Sequence, residues 1–229
     1  MSALLTATRN RHKVREIREM LGGNFQYLTL NDFPGAPAVI EDAATFAGNA
    51  AKKADGLADW LLANPGAIFS VIKEAAGAFY VLADDSGLEV DALDGAPGVH
   101  SARFAALDTG GQGNSSDREN NQKLLRLLRD VAMERRSGRF RCVLAWRELV
   151  LTAGRAVAAG PATLFFDGAC EGQISFGQSG AGGFGYDPLF VPDGHKQSFA
   201  ELGDAVKNGM SHRARALQKL KLHLSGLQA

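Results

Sequence analysis

An apolar, strand-like segment that ends in two adjacent carboxylates constrains this chain most. Residues 79–83 are Phe, Tyr, Val, Leu and Ala, and Asp84, Asp85, Ser86 and Gly87 follow directly. In an open α/β sheet, ligands bind at the carboxyl ends of the strands, so this order predicts negative charge at a ligand-binding edge. Carboxylates there suit Mg²⁺ and the phosphates that accompany it. The alternative is an Asx-capped turn that only leaves the strand.

Helical periodicity dominates both ends of the chain, and strand-like segments dominate its middle. Helices are predicted to begin near positions 13, 45, 116 and 211. Strands are predicted at 3–7, 25–30, 80–83, 88–93, 140–145, 149–153, 155–159 and 163–166. Without internal repeats or a linker, the pattern predicts a single α/β domain over residues 1–229, with a mixed β-sheet flanked by helices and two lobes around an active-site cleft.

The charge balance and the two cysteines limit the kinds of ligand and the cellular location that we expect. Lys plus Arg and Asp plus Glu number 25 each, so no basic surplus favours a nucleic acid polymer, although a local basic cluster can hold a small polyanion. Cys142 and Cys170 form no CxxC pair, which indicates reduced thiols. No secretory signal is recognisable, and no apolar run approaches the ~18 residues of a membrane span. We therefore expect a cytoplasmic protein without a membrane partner.

A basic turn separates the first predicted strand from the first predicted helix. Such a turn offers free backbone N–H groups and the positive end of a helix dipole, which suit phosphate. Its residues are Thr8, Arg9, Asn10, Arg11, His12 and Lys13. A solvated basic turn is the alternative. No glycine is followed by lysine, so a P-loop hydrolase is excluded.

Residues 180–185 match the dinucleotide motif GxGxxG, but the match is predicted to be accidental. That motif needs a helix to begin within it, whereas Pro188 favours extended geometry at Asp187. The loop instead offers Phe184 or Tyr186 for stacking on a base, and Asp187 to accept from a base N–H. Aromatic rings that pack inward are the alternative.

The last predicted helix begins with cationic residues. His212 and Arg213 follow Ser211, and Lys207 lies just before them. Cations at a helix N-terminus oppose the dipole, so an anionic ligand or a hydrogen-bond acceptor would relieve the conflict, while a solvated cap is the alternative. Glu41 precedes the helix near position 45 and is a candidate second carboxylate for the metal site, or simply an acid that favours a helix start.

These motifs occur together in the order typical of one enzyme family. Thr8, Asn10 and Lys13 open the chain, and Asn49 and Lys53 lie on the second predicted helix. The other matching segments are 83–88, 95–103, 140–144, 183–190 and 211–213. On these motifs, which span nearly the whole chain, the sequence resembles the inosine triphosphate pyrophosphatase family, which acts on non-canonical purine nucleoside triphosphates.

The resemblance implies Mg²⁺-dependent hydrolysis of ITP, dITP or XTP to the monophosphate and pyrophosphate. It also implies an elongated mixed α/β fold with a cleft between lobes, and a homodimer. Asp85 would be the general base and a metal ligand, with Glu41 as a second ligand. The residues implied to contact substrate are Thr8, Asn10 and Lys13 at the phosphates, Ser86 at the nucleotide, and Phe184, Gly185, Tyr186, Asp187, Lys207, His212 and Arg213 at the base.

The chain departs from the family pattern in three places. The family often has Gly where Arg9 stands, so Arg9 adds charge to the phosphate grip. It often has two acids where Ile40 and Glu41 stand, and residues 64–77 have the appearance of an insertion.

Three other functions stay open at this point. One is a related house-cleaning pyrophosphatase that acts on pyrimidine triphosphates. Another is a dinucleotide-binding oxidoreductase, which only the GxGxxG match supports. The third is a sensor that binds the nucleotide without cleaving it, and burial of Asp84 and Asp85 away from a cleft would favour it.

Overall fold

Parallel strands near the start of the chain and antiparallel pairs in its second half belong to one mixed sheet. The computed structural model describes residues 2–23, 25–72, 77–111, 113–152, 155–158 and 162–226. Its strands are β1 Ser2–Thr6, β2 Phe25–Thr29, β3 Gly77–Val90, β4 Ser137–Thr152, β5 Arg155–Ala158, β6 Leu164–Ile174 and β7 Phe190–Pro192. Its α-helices are α1 Arg11–Leu21, α2 Phe46–Ala63, α3 Pro65–Phe69, α4 Asp117–Leu127, α5 Phe199–Met210 and α6 His212–Gly226.

The strand order confirms the predicted α/β class with a mixed sheet. Within the described residues the order is β2-β1-β3-β4-β6-β7, and β5 pairs with β4. β1 runs parallel to both β2 and β3, whereas β4 with β5 and β6 with β7 are antiparallel. The elongated shape, the cleft between lobes and the single-domain extent of 1–229 stay predictions. None of the described helices has the length and apolar character needed to cross a bilayer.

The chain divides into two compact units, and both are discontinuous in sequence. Unit 1 consists of Met1–Asp85, Val143–Phe166 and Leu217–Ala229. Unit 2 consists of Ser86–Cys142 and Asp167–Ala216. Each unit has its own buried apolar side chains.

The centre of unit 1 is the short strand β1, which lies between two parallel neighbours. Leu4 and Leu5 of β1 are fully buried, as expected for a strand covered on both faces. Aromatic rings fill the space beside the strands: Tyr80 stacks on Trp146 with ring centroids 4.5 Å apart, and Phe33 meets Phe79 edge-on. This packing fixes β3 beside β1 and so fixes the position of the residues that follow on β3.

The predicted helix starts are confirmed by their N-caps. The Asn10 side chain accepts from the backbone N–H groups of His12 and Lys13 at the start of α1. Thr45 caps α2 by accepting from the Gly48 N–H at 3.0 Å. Caps of this kind satisfy backbone donors that have no partner within the helix. Ser116 and Glu119 form the predicted capping box at the start of α4.

The core of unit 2 gathers residues from strands, a helix and the glycine-rich region. Tyr186, Leu189 and Phe190 pack in it with Leu124 of α4 and Phe199 of α5. The turn that follows the glycine-rich loop is therefore anchored in apolar packing on one side. Residues 177–185 form a loop, as predicted, and no helix begins within the GxGxxG match, which removes the support for a dinucleotide fold.

The prediction that Asp84 and Asp85 end a strand is wrong. They lie inside β3, which continues without a break from Gly77 to Val90 and joins the two strands predicted at 80–83 and 88–93. The strand continues because cationic side chains neutralise its buried carboxylates, and because Leu88 and Val90 beyond them are again fully buried. The two carboxylates therefore belong to a continuous strand, just past Leu82, where the pairing of β3 with β1 ends.

Four further elements differ from the sequence prediction. The strands predicted at 140–145 and 149–153 form the single strand β4, and β6 extends well beyond its predicted end at 166. α3 begins directly after Asn64, and α5 was not predicted although it carries Lys207. Positions 73–76, 153 and 159, where the predicted insertion and the ends of two predicted strands fall, lie outside the described residues.

Candidate active site

The two carboxylates within β3 define an acidic cluster in unit 1, made up of Asp84, Asp85, Glu41, Lys13 and Lys53. Adjacent residues of a strand point to opposite faces of the sheet, so two different lysines are needed to neutralise them. Lys13 of α1 pairs with the Asp84 carboxylate. Lys53 of α2 pairs with Asp85 at 2.8 Å. Both carboxylates are buried, so their charged forms are stabilised mainly by the ion pairs with the two lysines.

Lys53 joins the strand to the segment that precedes α2. Its Nζ donates to Glu41 Oε2 at 3.0 Å and to the Asp84 carbonyl oxygen at 2.9 Å, in addition to Asp85. Two carboxylates from segments far apart in sequence therefore converge on one ammonium group. This convergence brings together the two residues that the sequence singled out as metal ligands, Asp85 and Glu41.

The pKa values in the cluster follow from burial and from Lys53. Burial raises the pKa of Asp85 above its ordinary value, although the Lys53 ammonium opposes the shift. Burial also acts to raise the pKa of Glu41, but Lys53 outweighs it and the pKa lies below the ordinary value. Burial acts to lower the pKa of Lys53, and the Asp85 and Glu41 charges reverse this and raise it. Asp85 is thus the carboxylate of the pair that more readily accepts a proton.

Asn49 of α2 fixes the geometry of the cluster from a fully buried position. Its Nδ2 donates to Asp85 Oδ2 at 3.4 Å. Its Oδ1 accepts from the Ala43 backbone N–H at 2.9 Å. One amide therefore holds both the strand carboxylate and the segment that carries Glu41.

The residues of the basic turn have different structural roles. Asn10 caps α1, and Thr8 Oγ1 accepts from the Asn10 N–H at 3.1 Å, so both side chains shape the turn. Lys13 reaches the acidic cluster. Arg9 and Arg11 instead line a groove with later arginines of α1, and His12 is exposed. Of the six predicted residues, only Lys13 makes a described ion pair within the acidic cluster.

The donor chemistry of the cluster fits a divalent cation. Among the described residues no three His, Cys, Asp or Glu side chains form a ready metal site. Mg²⁺ in phosphate-transfer sites is nevertheless usually held by one or two carboxylates together with phosphate oxygens and water. Glu41 and Asp85 supply such a pair, and in the ion pairs of the cluster three carboxylates share two ammonium groups.

Unit 2 contains a cluster of side chains around one aromatic ring, which we name the aromatic pocket after the base-binding role predicted for it; its members are Ser86, Phe184, Asp187, Lys207, His212 and Arg213. The Phe184 ring is half-buried, with Lys207 Nζ 4.3 Å and the Arg213 guanidinium carbon 5.9 Å from its centroid. Cations at these distances are attracted to the face of an aromatic ring. The structure therefore brings together the predicted base-stacking residue and the two cations at the end of α5 and the start of α6.

Asp187 is the buried anchor of this pocket. Its Oδ2 accepts from Lys207 Nζ at 2.7 Å and from the Phe184 backbone N–H at 2.9 Å. The Asp187 and Lys207 side chains are each only 2% exposed. A side chain at Gly183 would collide with this carboxylate, and the backbone there has a φ of +72°. Glycine at this position lets the loop close around Asp187.

His212, Arg213 and Ser86 complete the pocket. The His212 ring stacks on Phe140 with centroids 4.8 Å apart. Arg213 is almost fully buried, and its guanidinium donates to Ser86 Oγ at 2.8 Å. Ser86 is the residue after Asp85 in the chain, so the predicted nucleotide contact lies within the same unit as the predicted base pocket.

Tyr186 does not share this arrangement. Its ring belongs to the apolar core of unit 2, and its hydroxyl donates to the Ser101 carbonyl at 2.9 Å. For Tyr186, the alternative stated above, an aromatic ring that packs inward, is therefore correct. Phe184 is the ring that is left to stack on a base.

Comparison with known proteins identifies the family of this chain. The profile of the Ham1 family matches residues 4–223 of the 229-residue chain. The chain belongs to the Ham1 family. It is 45% identical over 217 residues to the dITP/XTP pyrophosphatase of Desulforamulus reducens, covering 94% of this chain and 92% of the relative. It is 44% identical to that of Geobacter sulfurreducens, covering 98% and 97% of the two chains. These relatives confirm the resemblance inferred from the motifs.

Solved structures of Ham1 proteins have the same fold. The Ham1 protein of Staphylococcus aureus matches with a TM-score of 0.76 and 29% identity, over 99% of both chains. The Ham1 protein of Coxiella burnetii matches with a TM-score of 0.74 and 33% identity, covering 99% of this chain and all of that one.

The sequence did not predict a role for four residues that shape the acidic cluster and the aromatic pocket. Asn49 and Lys53 stand in the quoted motif, and a signal was available, since they are polar residues one helical turn apart on the buried face of α2. Asp117 and Asn121 of α4 are the other two. Asp117 Oδ2 accepts from the Gly185 N–H at 2.6 Å, and Asn121 Nδ2 donates to the Gly185 carbonyl at 3.0 Å.

We name these two contacts the Gly185 clamp, formed by Asp117 and Asn121. It holds both polar groups of a residue whose φ is +63°, next to Phe184. Asn121 is 2% exposed, and its Oδ1 has no hydrogen-bond partner among the described residues. The spacing of four residues on one helix was the available signal, but nothing local identifies a loop 64 residues away as the partner.

Proposed function

We propose that this Ham1 protein hydrolyses the non-canonical purine nucleoside triphosphates ITP, dITP and XTP to the monophosphate and pyrophosphate. Its full-length relatives named dITP/XTP pyrophosphatases support this substrate class. One observation carries the chemistry: Asp85 and Glu41 converge on a single ammonium group within the acidic cluster.

Mg²⁺ is the cofactor of this proposal, and Asp85 and Glu41 are the residues that would hold it. When bound, it would neutralise phosphate charge and lower the pKa of water. Carboxylates cannot bind a triphosphate directly, so the cluster needs a cation between the two sets of negative charge. Lys53 and Asn49 orient the carboxylates, which leaves them pre-positioned and limits the entropy lost on binding.

The protein groups contribute positioning and proton transfer. In the reaction, the oxygen of a water molecule forms a bond to phosphorus at the α–β bridge, the bridging P–O bond breaks, and pyrophosphate leaves. Asp85 accepts the proton of this water, a role that the burial of its carboxyl favours by raising its pKa. Lys13, with Thr8 and Asn10, is the proposed phosphate contact, and Arg9, Arg11 and His12 of the same turn add positive charge.

Selection of the base belongs to the aromatic pocket in this proposal. Phe184 stacks on the purine, while Lys207, His212 and Arg213 offer donors, and Gly185, Asp187 and Ser86 keep the loop and the guanidinium in place. The keto oxygen of hypoxanthine or xanthine accepts a hydrogen bond where the adenine amino group donates one. A buried donor left unpaired costs about 1–3 kcal/mol, which disfavours ATP by roughly ten- to a hundredfold per contact.

Release of pyrophosphate from a panel of triphosphates tests the proposal. With Mg²⁺, we expect much faster release from ITP and XTP than from ATP, GTP or the pyrimidine triphosphates, and loss of release when the metal is chelated. Equal rates with ATP would contradict the proposed selectivity. Faster release from a pyrimidine triphosphate would favour the related house-cleaning activity.

A nucleotide sensor is the second candidate, because Asp84 and Asp85 are only 3% and 7% exposed. The same assay separates the two functions when it is combined with equilibrium binding of ITP. Binding without pyrophosphate release would establish the sensor, whereas release at a rate that Asp85→Asn abolishes would exclude it.

A cytoplasmic location and a homodimer complete the proposal. Cys142 and Cys170 are both buried and form no disulfide, as is common for thiols in a reducing compartment. Sedimentation of the purified chain tests the homodimer: a single species of monomer mass at micromolar concentration would contradict it.

A further inference from the structure

One ammonium group holds both carboxylates that are proposed to bind the metal. Lys53 Nζ lies 2.8 Å from Asp85 Oδ1 and 3.0 Å from Glu41 Oε2. Its remaining hydrogen bond goes to the Asp84 carbonyl oxygen at 2.9 Å. A lysine ammonium group has three donors, so all of them are used within the acidic cluster. The Lys53 side chain is only 11% exposed, and water therefore contributes little to this arrangement.

The carboxyl groups of Asp85 and Glu41 converge on the same point. They lie within hydrogen-bonding reach of each other as well as of Lys53. Mg²⁺ also selects carboxylate oxygens as ligands. A divalent cation held by Asp85 and Glu41 would therefore use oxygen atoms that Lys53 already contacts. Two positive charges that share oxygen atoms at this distance repel each other, so the two cations compete.

The orientation of these carboxylates does not depend on Lys53 alone. Asn49 Nδ2 donates to Asp85 Oδ2, the oxygen that Lys53 does not contact, and Asn49 Oδ1 accepts from the Ala43 N–H. The amide thus holds the strand carboxylate and the segment that carries Glu41. Removal of the Lys53 charge should therefore remove a competing cation, while Asn49 keeps the carboxylates in place.

The residue before Lys53 offers a comparison within the same helix. Lys52 pairs with Asp42, and both side chains are exposed. Exposed pairs of this kind are screened by water and salt and contribute little. Lys52 and Lys53 thus carry the same charge at neighbouring positions of α2, but only Lys53 contacts the two proposed metal ligands in the described ion pairs.

We propose that Lys53 is a positioning residue that regulates metal binding: its ammonium group must release Asp85 and Glu41 before they can bind a divalent cation. This inference rests on the proposed function, which takes these two residues as the metal ligands. A released Lys53 keeps the Asp84 carbonyl oxygen and needs two further acceptors, because a buried charged donor without a partner is costly. Phosphate oxygens are such acceptors. The metal should therefore bind weakly by itself and more tightly together with a triphosphate.

Calorimetric titration with magnesium chloride, without nucleotide and at constant ionic strength, is the primary test. Lys53→Gln removes the charge and keeps an amide donor for the carboxylates. We expect it to bind Mg²⁺ more tightly than the wild type by about tenfold or more, because the competing charge is gone. Lys52→Gln is the matched control and should stay within about twofold of the wild type, because its charge is exposed and screened.

The sign of this change separates competition from a merely structural role. A lysine that only supported the carboxylates would lower the affinity for Mg²⁺ when it is replaced. Lys53→Arg retains the charge and should bind Mg²⁺ as weakly as the wild type. Equal or weaker binding by Lys53→Gln, or no binding by any of the proteins, overturns the proposal.

A measurement on the wild-type protein does not depend on the folding of a variant. Trace labelling with an amine reagent, followed by peptide mass spectrometry, compares the accessibility of Lys53 with that of Lys52. Mg²⁺ at a concentration that saturates the calorimetric signal should increase the labelling of Lys53, because its ammonium group has lost two carboxylate contacts. The labelling of Lys52 should not change. Unchanged labelling of Lys53 would overturn the proposal.

Release of pyrophosphate from ITP, measured on the same preparations, keeps this inference apart from the proposed function. If the wild type hydrolyses ITP and Lys53→Gln shows no tighter binding of Mg²⁺, the competition is refuted and the proposed function stands. If Lys53→Gln binds Mg²⁺ more tightly and the wild type releases no pyrophosphate, the competition stands and the proposed function is refuted.

Discussion

The acidic cluster of unit 1 and the aromatic pocket of unit 2 bury charge in opposite ways. In the cluster, three carboxylates meet two lysines, and the Glu41 side chain remains 40% exposed. In the pocket, one carboxylate meets one lysine, and both side chains are 2% exposed. The cluster therefore has more carboxylates than ammonium groups and one partly exposed carboxylate, whereas the pocket contains a buried one-to-one pair.

This difference indicates different roles for the acidic cluster and the aromatic pocket. A site with more carboxylates than ammonium groups, one of them partly exposed, suits a metal and the proposed chemical step. In the buried ion pair, Asp187 uses its carboxylate to hold both Lys207 and the loop that carries Phe184. Substitutions in the cluster should therefore change turnover of every triphosphate alike, and substitutions around the pocket should change stability and the choice of base.

The largest expected effect is that of Asp85→Asn on turnover. Loss of the proton acceptor should lower kcat by about 10²–10⁴-fold for ITP, XTP and ATP in the same proportion. The measurement is pyrophosphate release, with circular dichroism to verify folding. Asp130→Asn, at a largely exposed acid of unit 2, is the matched control and should leave kcat unchanged. An Asp85→Asn protein with full activity would refute the role given to the cluster.

Lys207→Met tests the closed pair of the pocket. It leaves the buried Asp187 carboxylate without its cation, which should lower the free energy of unfolding by about 3–5 kcal/mol. The double variant Asp187→Asn/Lys207→Met should recover much of this loss, because Asn still accepts from the Phe184 N–H without a buried charge. Urea denaturation measures both. If the double variant were as unstable as the single one, the uncompensated charge would not be the cause.

The Gly185 clamp should affect base selection more than turnover. Asp117→Ala removes the acceptor of the Gly185 N–H, and we expect the ratio of kcat/KM for ITP over ATP to fall by roughly tenfold, corresponding to about one hydrogen bond. Asp117→Asn keeps an acceptor at the same position and should retain most of the ratio. Equal loss in both variants would indicate that charge, and not loop positioning, is what Asp117 contributes.

The smallest expected effect is a change in the rate at which a reagent labels the Cys170 thiol. This rate reports on unit 2 alone. Burial raises the pKa of the Cys170 thiol to about 11, and the residue belongs to the apolar core of unit 2. In a Cys142→Ala background, labelling by a disulfide reagent at pH 8 should be slow, because the thiolate is scarce and covered. Adding Lys207→Met should accelerate it, and adding Asp85→Asn should not. Equal acceleration by both would mean that the two regions are not energetically separate.

Local patterns in the sequence predicted much of this fold. Asn10, Thr45 and Ser116 were recognisable as helix starts because an N-cap depends on residues within one turn. The mixed α/β class and the loop at 177–185 followed from periodicity and glycine content. The break predicted at Asp84 and Asp85 was wrong, because a local pattern cannot show that distant lysines make buried carboxylates tolerable within a strand.

The candidate site shows the same contrast between local patterns and contacts that join distant residues. The sequence by itself identified the candidate residues for the proposed chemistry, since the types and order of Lys13, Asp85, Phe184 and Arg213 were readable along the chain. Only the tertiary structure decided how they are paired, because Lys13 meets Asp84 across 71 residues and Lys53 meets Asp85 across 32. Such ion pairs depend on burial and on the packing of whole helices against the sheet, and neither is a property of a short segment.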